Sequence, residues 1–422
     1  MLNLDKSMLL KFDQESALYI DQRGAKSVIY RAEMIADQIN NFLDSDEKVL
    51  LLTGGTGVGK STCAKHFFRK QLERYNQDSD NYLPLLFSLS SLENISKLAE
   101  ECLKANLTEP KLHKIKHKKV VWILDGFDRV LFADFDNRIQ LKNLYGLNHL
   151  DEIEESKFIF ISRAGFCEDG YFHPHPLSEF RQIRIMPFLD GDVGKYLDKY
   201  VAKNPKKSDT GDVWTQDKYL KFIEALWPRF SFRMQQPRFL KVLLHVLPSI
   251  IDRLSKKFYF EKYNPKHLDC LEQELYDANV CANAEVSFKR FTESPFKKNL
   301  DLKAQDFLYY AFGIAKVMNI LGKPVLSLED AREDLKCQKA MEEVQKLIPT
   351  RLSPFFDTTR EAVLIRTSIL GLFYSSLDAC LWFDDESIYH HLLKIEKDNR
   401  IGELVNAIDN DLFDLKKLNL FV

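Results

Sequence analysis

Cysteine pairs at metal or redox spacing are missing from this sequence. Its seven cysteines (Cys63, Cys102, Cys167, Cys270, Cys281, Cys337, Cys380) are scattered, odd in number and without a CxxC. That excludes a disulfide framework or a zinc ribbon as the organising device and fits a reducing cytosol. An apolar run of membrane-spanning length is also missing. The most apolar segment, Phe239 to Ile251, is interrupted by His245 and Pro248 and reads as a buried helix. The N-terminal stretch MLNLDKSMLLKFDQES mixes Asp5, Lys6 and Lys11 into its apolar residues and has no small-residue cleavage site, so a secretory signal is not expected. A formal net charge of −2, from 60 basic and 62 acidic residues, argues against a dominant electrostatic partner and gives no clear nucleic-acid or membrane signal. There is no internal repeat and no low-complexity tract. What remains, 45% hydrophobic and 29% charged over 422 residues, is the composition of a globular chain too long for one core. Such a length predicts roughly two to four domains.

Against that plain background one stretch is distinctive. Val49 to Thr62 reads VLLLTGGTGVGKST: an all-apolar run suited to a strand buried on both faces, followed by GxxxxGK[ST] at Gly54, Gly59, Lys60 and Ser61. This is the spacing of a phosphate-binding loop. Gly55 and Gly57 add backbone freedom, so that with Thr56 and Val58 successive N–H groups can wrap an anion. The residues CAKHFFRKQLERY read as helix, which brings a helix N-terminus and its partial positive charge to the phosphates. In that arrangement Lys60 reaches the β- and γ-phosphates, the Ser61 hydroxyl ligates Mg²⁺ and Thr62 contacts the α-phosphate.

The rest of the first half alternates strand and helix. Apolar residues at Val28, Ile29, Ala32, Ile35, Ala36, Ile39 and Phe42 predict a helix over Ser27 to Leu43. LPLLFSLSSL (Leu83 to Leu92) predicts a second strand, and NISKLAEECLKANL, capped by Asn94, a helix. VVWIL (Val120 to Leu124) is a third strand ending in Asp125, where a carboxylate can meet the Mg²⁺ of the loop. Asp128 follows in the turn, either as a carboxylate that orients the attacking water or as a surface turn residue. KFIFISRAGF is a fourth strand, with Ser162 and Arg163 at its end; Arg163 either touches the γ-phosphate or forms a cap or salt bridge. RQIRIM is a fifth, and PFLDGDVGKYLDKYV opens a helix capped by Asp190 or Asp192. Together these predict an α/β P-loop NTPase core, a five-stranded parallel sheet with flanking helices.

Three histidine pairs invite a metal reading: His113 with His117, His173 with His175, and His390 with His391. The first lies in KLHKIKHKK, where five lysines and no carboxylate or cysteine argue for a basic turn. The second lies in a proline-rich loop, and the third points to different faces of a helix. No metal site is expected from any of them. The alternation stops at the polar segment KNPKKSDTGD, Lys203 to Asp212, which is read as a domain boundary. Beyond it YLKFIEALW, PRFLKVLLHVLPSIIDRL with Pro237 in its first turn, Phe307 to Met318, and AREDLKCQKAMEEVQKLI after the SLED box at Ser327 all read as helix. AVLIRTSILGLFYSSLDACLWF then mixes helix, strand and hairpin before DESIYHHLLKI, a pattern suited to a small winged-helix module. The expected divisions are a helical lead-in (1–45), the P-loop domain (46–203), a helical domain (213–300) and a winged-helix-like and helical region (301–422).

The P-loop, the LDGFD turn, the ISR strand end and the helical second half together resemble the NACHT group of STAND ATPases, signalling relatives of the AAA+ proteins, over roughly Ser27 to Leu393. LPLLFSLSSL and IMPFLDGDVGKYLDKYV are similar to further segments of that group, and MQQPRFLKVLLHVLP to its proline-bearing helix. The resemblance implies that Pro237 closes over the adenine, that ATP or ADP with Mg²⁺ is the cofactor, and that exchange of ADP for ATP opens the molecule for homo-oligomerisation under an unknown protein trigger. It also implies innate-immune or anti-phage defence as a setting. Two positions depart from the group: Arg129 stands where an acidic residue usually follows Asp128, and Asp385 aligns with a histidine that usually meets the β-phosphate. The alternatives are a pathogen effector using the same core in a host cytosol, a multiple-turnover ATPase or phosphotransferase, and a non-hydrolysing scaffold with structural ADP.

Overall fold

In this computed structural model the described residues are 17–25, 32–55, 57–88, 118–126, 155–163, 181–206, 213–257, 259, 261–262, 264–293, 302–321, 335–346, 349 and 386–415. The chain divides into two units, one of residues 1–244 with 421–422 and one of residues 245–420.

The first unit is organised by a seven-stranded sheet. In chain order its elements are β1 (Arg23–Ala25), β2 (Glu33–Met34), α1 (Ile35–Leu43), β3 (Val49–Gly54), α2 (Lys60–Gln77), β4 (Leu83–Ser88), β5 (Lys119–Asp125), β6 (Glu155–Arg163), β7 (Arg181–Ile185), α3 (Asp190–Lys203), α4 (Gln216–Met234) and the start of α5 (Pro237–Lys257). The strand order is β2-β1-β7-β3-β6-β5-β4. β3 to β7 run parallel, whereas β1 pairs antiparallel with both β7 and β2. All five strands expected from their apolar runs are present. Continuous apolar runs form them because both faces are covered: Leu50, Val120, Val121, Ile123 and Ile183 have no measurable exposure. The expected five-stranded parallel sheet is therefore a seven-stranded mixed one. The lead-in is corrected with it, since the helix expected from Ser27 begins only at Ile35 and β1 and β2 precede it. Two- and three-residue strands carry no readable period, so nothing marks β1 and nothing in β2 competes with the helical spacing that runs through it.

Parallel pairing aligns the strand ends. Gly54 is in register with Arg163, and Asp125 with Ser88 and Ile161. The carboxyl ends of β3, β6 and β5 thus lie along one edge, with β6 between the other two; through Ile161, Asp125 is in register with Leu52, two strand spacings or about 10 Å across the sheet and two residues before the end of β3. At the opposite edge a buried ammonium does structural work. Lys157 Nζ donates to the carbonyls of Phe42 (2.9 Å), Ser45 and Glu47 (3.1 Å), saturating its three N–H donors against the C-terminal end of α1. Burial pulls its pKa below the ordinary lysine value.

The start of α3 departs from expectation. Leu189 occupies the cap position and its N–H donates to Asp192 Oδ2 at 3.1 Å, so Asp192 acts from the third helical position and Asp190 is simply the first helical residue. A carboxylate one turn in can reach back to the cap amide, which satisfies the same orphan donor.

The second unit is helical among its described residues: the remainder of α5, then α6 (Pro265–Glu293), α7 (Ala304–Leu321), α8 (Leu335–Gln345), α9 (Glu386–Lys397) and α10 (Ile401–Asp409). α7 packs against α6, α8, α9 and α10. α6 is its longest helix and is buried all round between Asp277 and Ala284. Its buried Asp277 accepts from His391 at 2.8 Å and from Arg400 at 2.6 Å. His390 is exposed while His391 is buried, so the two do point apart. Of the segment read as winged helix, residues 362–395, residues 362–385 lie outside the described residues, as does Ser327. No described helix is long and apolar enough to cross a membrane.

Candidate functional site

The phosphate-binding loop leaves β3 at Gly54 and enters α2 at Lys60. Val58 anchors it. This side chain is 4% exposed and belongs to the hydrophobic cluster under the sheet, with its Cγ2 3.1 Å from where a Cβ on Gly54 would stand. Gly57 (φ +79°) and Gly59 (φ +100°) take left-handed conformations that disfavour a side chain, and Gly59 caps the helix. Cys63 N–H donates to the Gly59 carbonyl at 2.8 Å. The amides of Ser61 and Thr62 precede it in the first turn, the part of a helix whose N–H groups have no acceptor within the helix and can serve an anion.

Each described carbonyl of the loop has a donor. Lys60 Nζ donates to the Gly54 and Gly55 carbonyls at 2.8 and 2.9 Å. The Arg238 backbone N–H, in the first turn of α5, donates to Gly57 O at 3.2 Å, and Gln22 Nε2 donates to Val58 O at 2.6 Å. Gly57 is also closely covered, since a Cβ there would stand 3.1 Å from Arg238 Cβ. The loop is therefore held between the N-terminal segment and the first turn of α5.

The N-terminal segment is itself tied down. Tyr19 stacks on His66 of α2 with ring centroids 4.2 Å apart, its hydroxyl donates to Cys63 Sγ at 3.6 Å, and its carbonyl accepts from Lys199 at 2.6 Å. Burial pushes the Cys63 thiol up to about 11, so it is an inert protonated group beside the loop. His66 Nε2 is buried without a hydrogen bond, 4.0 Å from Asp21 Oδ1, and burial, aided by Lys70, lowers its pKa.

Oxygen donors for a divalent cation are available at the same edge. Ser61 and Asp125 are both half-buried, the first on the opening turn of α2 and the second at the end of β5. A hydroxyl plus a carboxylate, with phosphate oxygens and waters completing the shell, is the donor set Mg²⁺ takes. Beside β3, Ser162 is fully buried with no hydrogen-bond partner for its hydroxyl, while Thr53 Oγ1 accepts from Gln182 at 3.1 Å.

Neither a protein-family model nor a curated protein sequence matches this chain. Solved structures similar to it include the Aeropyrum pernix ORC2 protein in its ADP form, at 14% identity and TM-score 0.40, covering 80% of this chain and 93% of that one. The Aeropyrum pernix ORC1 protein in complex with DNA is similar at 15% identity and TM-score 0.39, covering 79% and 90%. AMPPCP-bound DnaA from Aquifex aeolicus is similar at 13% identity and TM-score 0.33, covering 90% and 92%. At TM-scores below 0.5 these likenesses assign neither a family nor a function.

Of the residues marked by sequence, Gly54, Gly55, Gly57, Val58, Gly59, Lys60, Ser61 and Thr62 are brought together as one strand–loop–helix unit, and Pro237 opens α5 next to the residue that bonds Gly57. Asp125 and Arg163 end neighbouring strands at the same edge. Thr56, Asp128, Arg129, Asp385 and the side chain of Arg163 lie outside the described residues, as do His113, His117, His173 and His175. No cluster of three or more potential metal-ligating side chains occurs among the described residues. Sequence reasoning missed Gln22, Tyr19 and Arg238. The first two sit on a segment too short to show a period, and Arg238 stood in plain view beside Pro237 in a helix read only for its apolar face.

Proposed function

We propose that this chain is an ATP/ADP-binding switch of the NACHT–STAND kind, in which nucleotide controls conformation and Mg²⁺-dependent hydrolysis is slow. The observation that supports the reading is the loop itself: left-handed glycines at Gly57 and Gly59, Lys60 held over the loop by the Gly54 and Gly55 carbonyls, and the first turn of α5 bonded to Gly57. A helix that leaves the α/β unit and also touches the phosphate loop is placed to respond to what the loop holds.

In this reading Lys60 gives up its bonds to Gly54 and Gly55 for the β- and γ-phosphate oxygens, a charge-assisted replacement stronger than the carbonyl pair. Gly57, Val58, Gly59, Ser61 and Thr62 supply amides, and Pro237 closes over the base. Ser61 and Asp125 would hold Mg²⁺, which would supply Lewis-acid stabilisation of the charge that develops during hydrolysis. Asp128 orients the water that attacks the γ-phosphorus as the bond to the ADP oxygen breaks, and Arg163 reports whether a γ-phosphate is present. Arg129 beside Asp128 is consistent with hydrolysis near the unassisted rate of such sites, about 10⁻³ s⁻¹.

Calorimetric titration with ATP and ADP tests this. The wild-type chain is expected to bind both and Lys60→Ala neither, with Asp125→Asn retaining ADP and losing Mg²⁺-dependent hydrolysis. Binding unchanged in Lys60→Ala would falsify the reading, and turnover above about one per second would move it to an ordinary ATPase.

A further inference from the structure

Gln22 is the least expected side chain near the loop. It is 4% exposed, precedes the sheet on a segment of irregular chain, and spends its amide on a single loop carbonyl, Val58 O, at 2.6 Å. Its Oε1 stands 3.1 Å from the position a Cβ on Gly59 would take. In a planar trans peptide the C=O and the following N–H point in opposite directions. Holding the Val58 carbonyl against Gln22 therefore turns the Gly59 N–H away from the N-terminal segment. On the other flank, the Arg238 N–H at Gly57 O orients the Val58 N–H in the same manner.

We infer that Gln22 is a positioning residue for phosphate: it sets the Val58–Gly59 peptide plane from outside the loop and so couples the N-terminal segment, residues 19–25, to nucleotide occupancy. The inference rests on the nucleotide reading above. The coupling is physical because the segment has its own attachments. Ile35 N–H donates to the Gln22 carbonyl at 3.0 Å, Gly24 O accepts from Gln38 at 2.7 Å, and Arg23 pairs with Asp192 of α3 at 3.6 Å. A plane held at one end by a nucleotide and at the other by this segment transmits order in both directions, by reciprocity of linkage.

The test compares wild type, Gln22→Glu, Gln22→Ala and Lys60→Ala by displacement of a fluorescent ADP analogue with ADP and with adenosine. Gln22→Glu keeps shape but loses the donor. It is expected to weaken ADP about tenfold, the loss of one backbone-directed hydrogen bond, with adenosine affinity unchanged because adenosine has no phosphate. A merely structural role would lower both affinities together. Hydrogen exchange on the wild-type chain provides the second arm and needs no variant to fold: saturating ADP is expected to slow the amides of residues 19–25. Wild type that binds ADP, with Gln22→Glu within twofold of it and no protection of 19–25, overturns this inference alone. Wild type that binds no ADP overturns the nucleotide reading and this inference with it.

Discussion

At the scale of single residues, Gly59 shows how tightly the loop is specified. Its φ of +100° strains any L side chain, and an added Cβ would meet Gln22 Oε1 at 3.1 Å. Gly59→Ala is therefore expected to disturb the cap of α2 and the Gln22 bond at once. The expected outcome is at least a tenfold loss of ADP affinity, at a stability cost of about 1–3 kcal/mol measured by denaturant unfolding. His66 makes a prediction with a definite sign. Its folded pKa lies below the ordinary value of about 6.5, so between the two values the unfolded chain holds the proton more often than the folded one. This residue's contribution is at its best above that value and falls as the pH drops through it. Melting curves from pH 8 to pH 5.5 check this: His66→Gln is expected to lose less stability on acidification than wild type. The glycines and Lys60 were legible because a phosphate-wrapping backbone tolerates so few residue types at fixed spacing. Gln22 was not, since a glutamine that bonds a carbonyl 36 positions away leaves no local pattern.

At the scale of elements, legibility followed periodicity. The five parallel strands read out of the sequence because burial on both faces demands unbroken apolar runs, and α2, α3, α5 and α7 announced themselves by apolar spacing, caps or a leading proline. β1 and β2 are too short to carry a period. α6 failed for the opposite reason. Its middle is buried on every side, so residues such as Asp277, Asn279 and Asn283 are interior alongside Val280 and Ala282, and the polar–apolar stripe that marks a surface helix is gone. Burying Asp277 is tolerable because His391 and Arg400 take both its oxygens. Removing it leaves the buried His391 imidazole without that partner and Arg400 with Glu403 alone. Asp277→Ala is expected to cost about 1–3 kcal/mol by urea unfolding, since Arg400 keeps Glu403, and His391→Ala less, because Arg400 still holds the carboxylate.

At the scale of the molecule, a nucleotide moves a conformational equilibrium only by the difference in its affinity for the two forms. ATP and ADP differ by the γ-phosphate, so a switch between them needs a group that reads it. By register Arg163 is the residue beside Gly54 on β6. If Arg163 is that reader, Arg163→Ala weakens ATP about tenfold while leaving ADP unchanged, a difference of about 1.4 kcal/mol that belongs to the γ-phosphate alone. The global consequence follows from the same arithmetic. Wild type is expected to gain mass in solution when ADP is exchanged for ATP under conditions of slow hydrolysis, and Arg163→Ala to stay at its ADP mass until ATP is raised about tenfold. Light scattering on the purified chain with each nucleotide reads this directly. A wild-type mass that is the same with ADP and ATP, in a chain that binds both, leaves the loop as a nucleotide site without a switch.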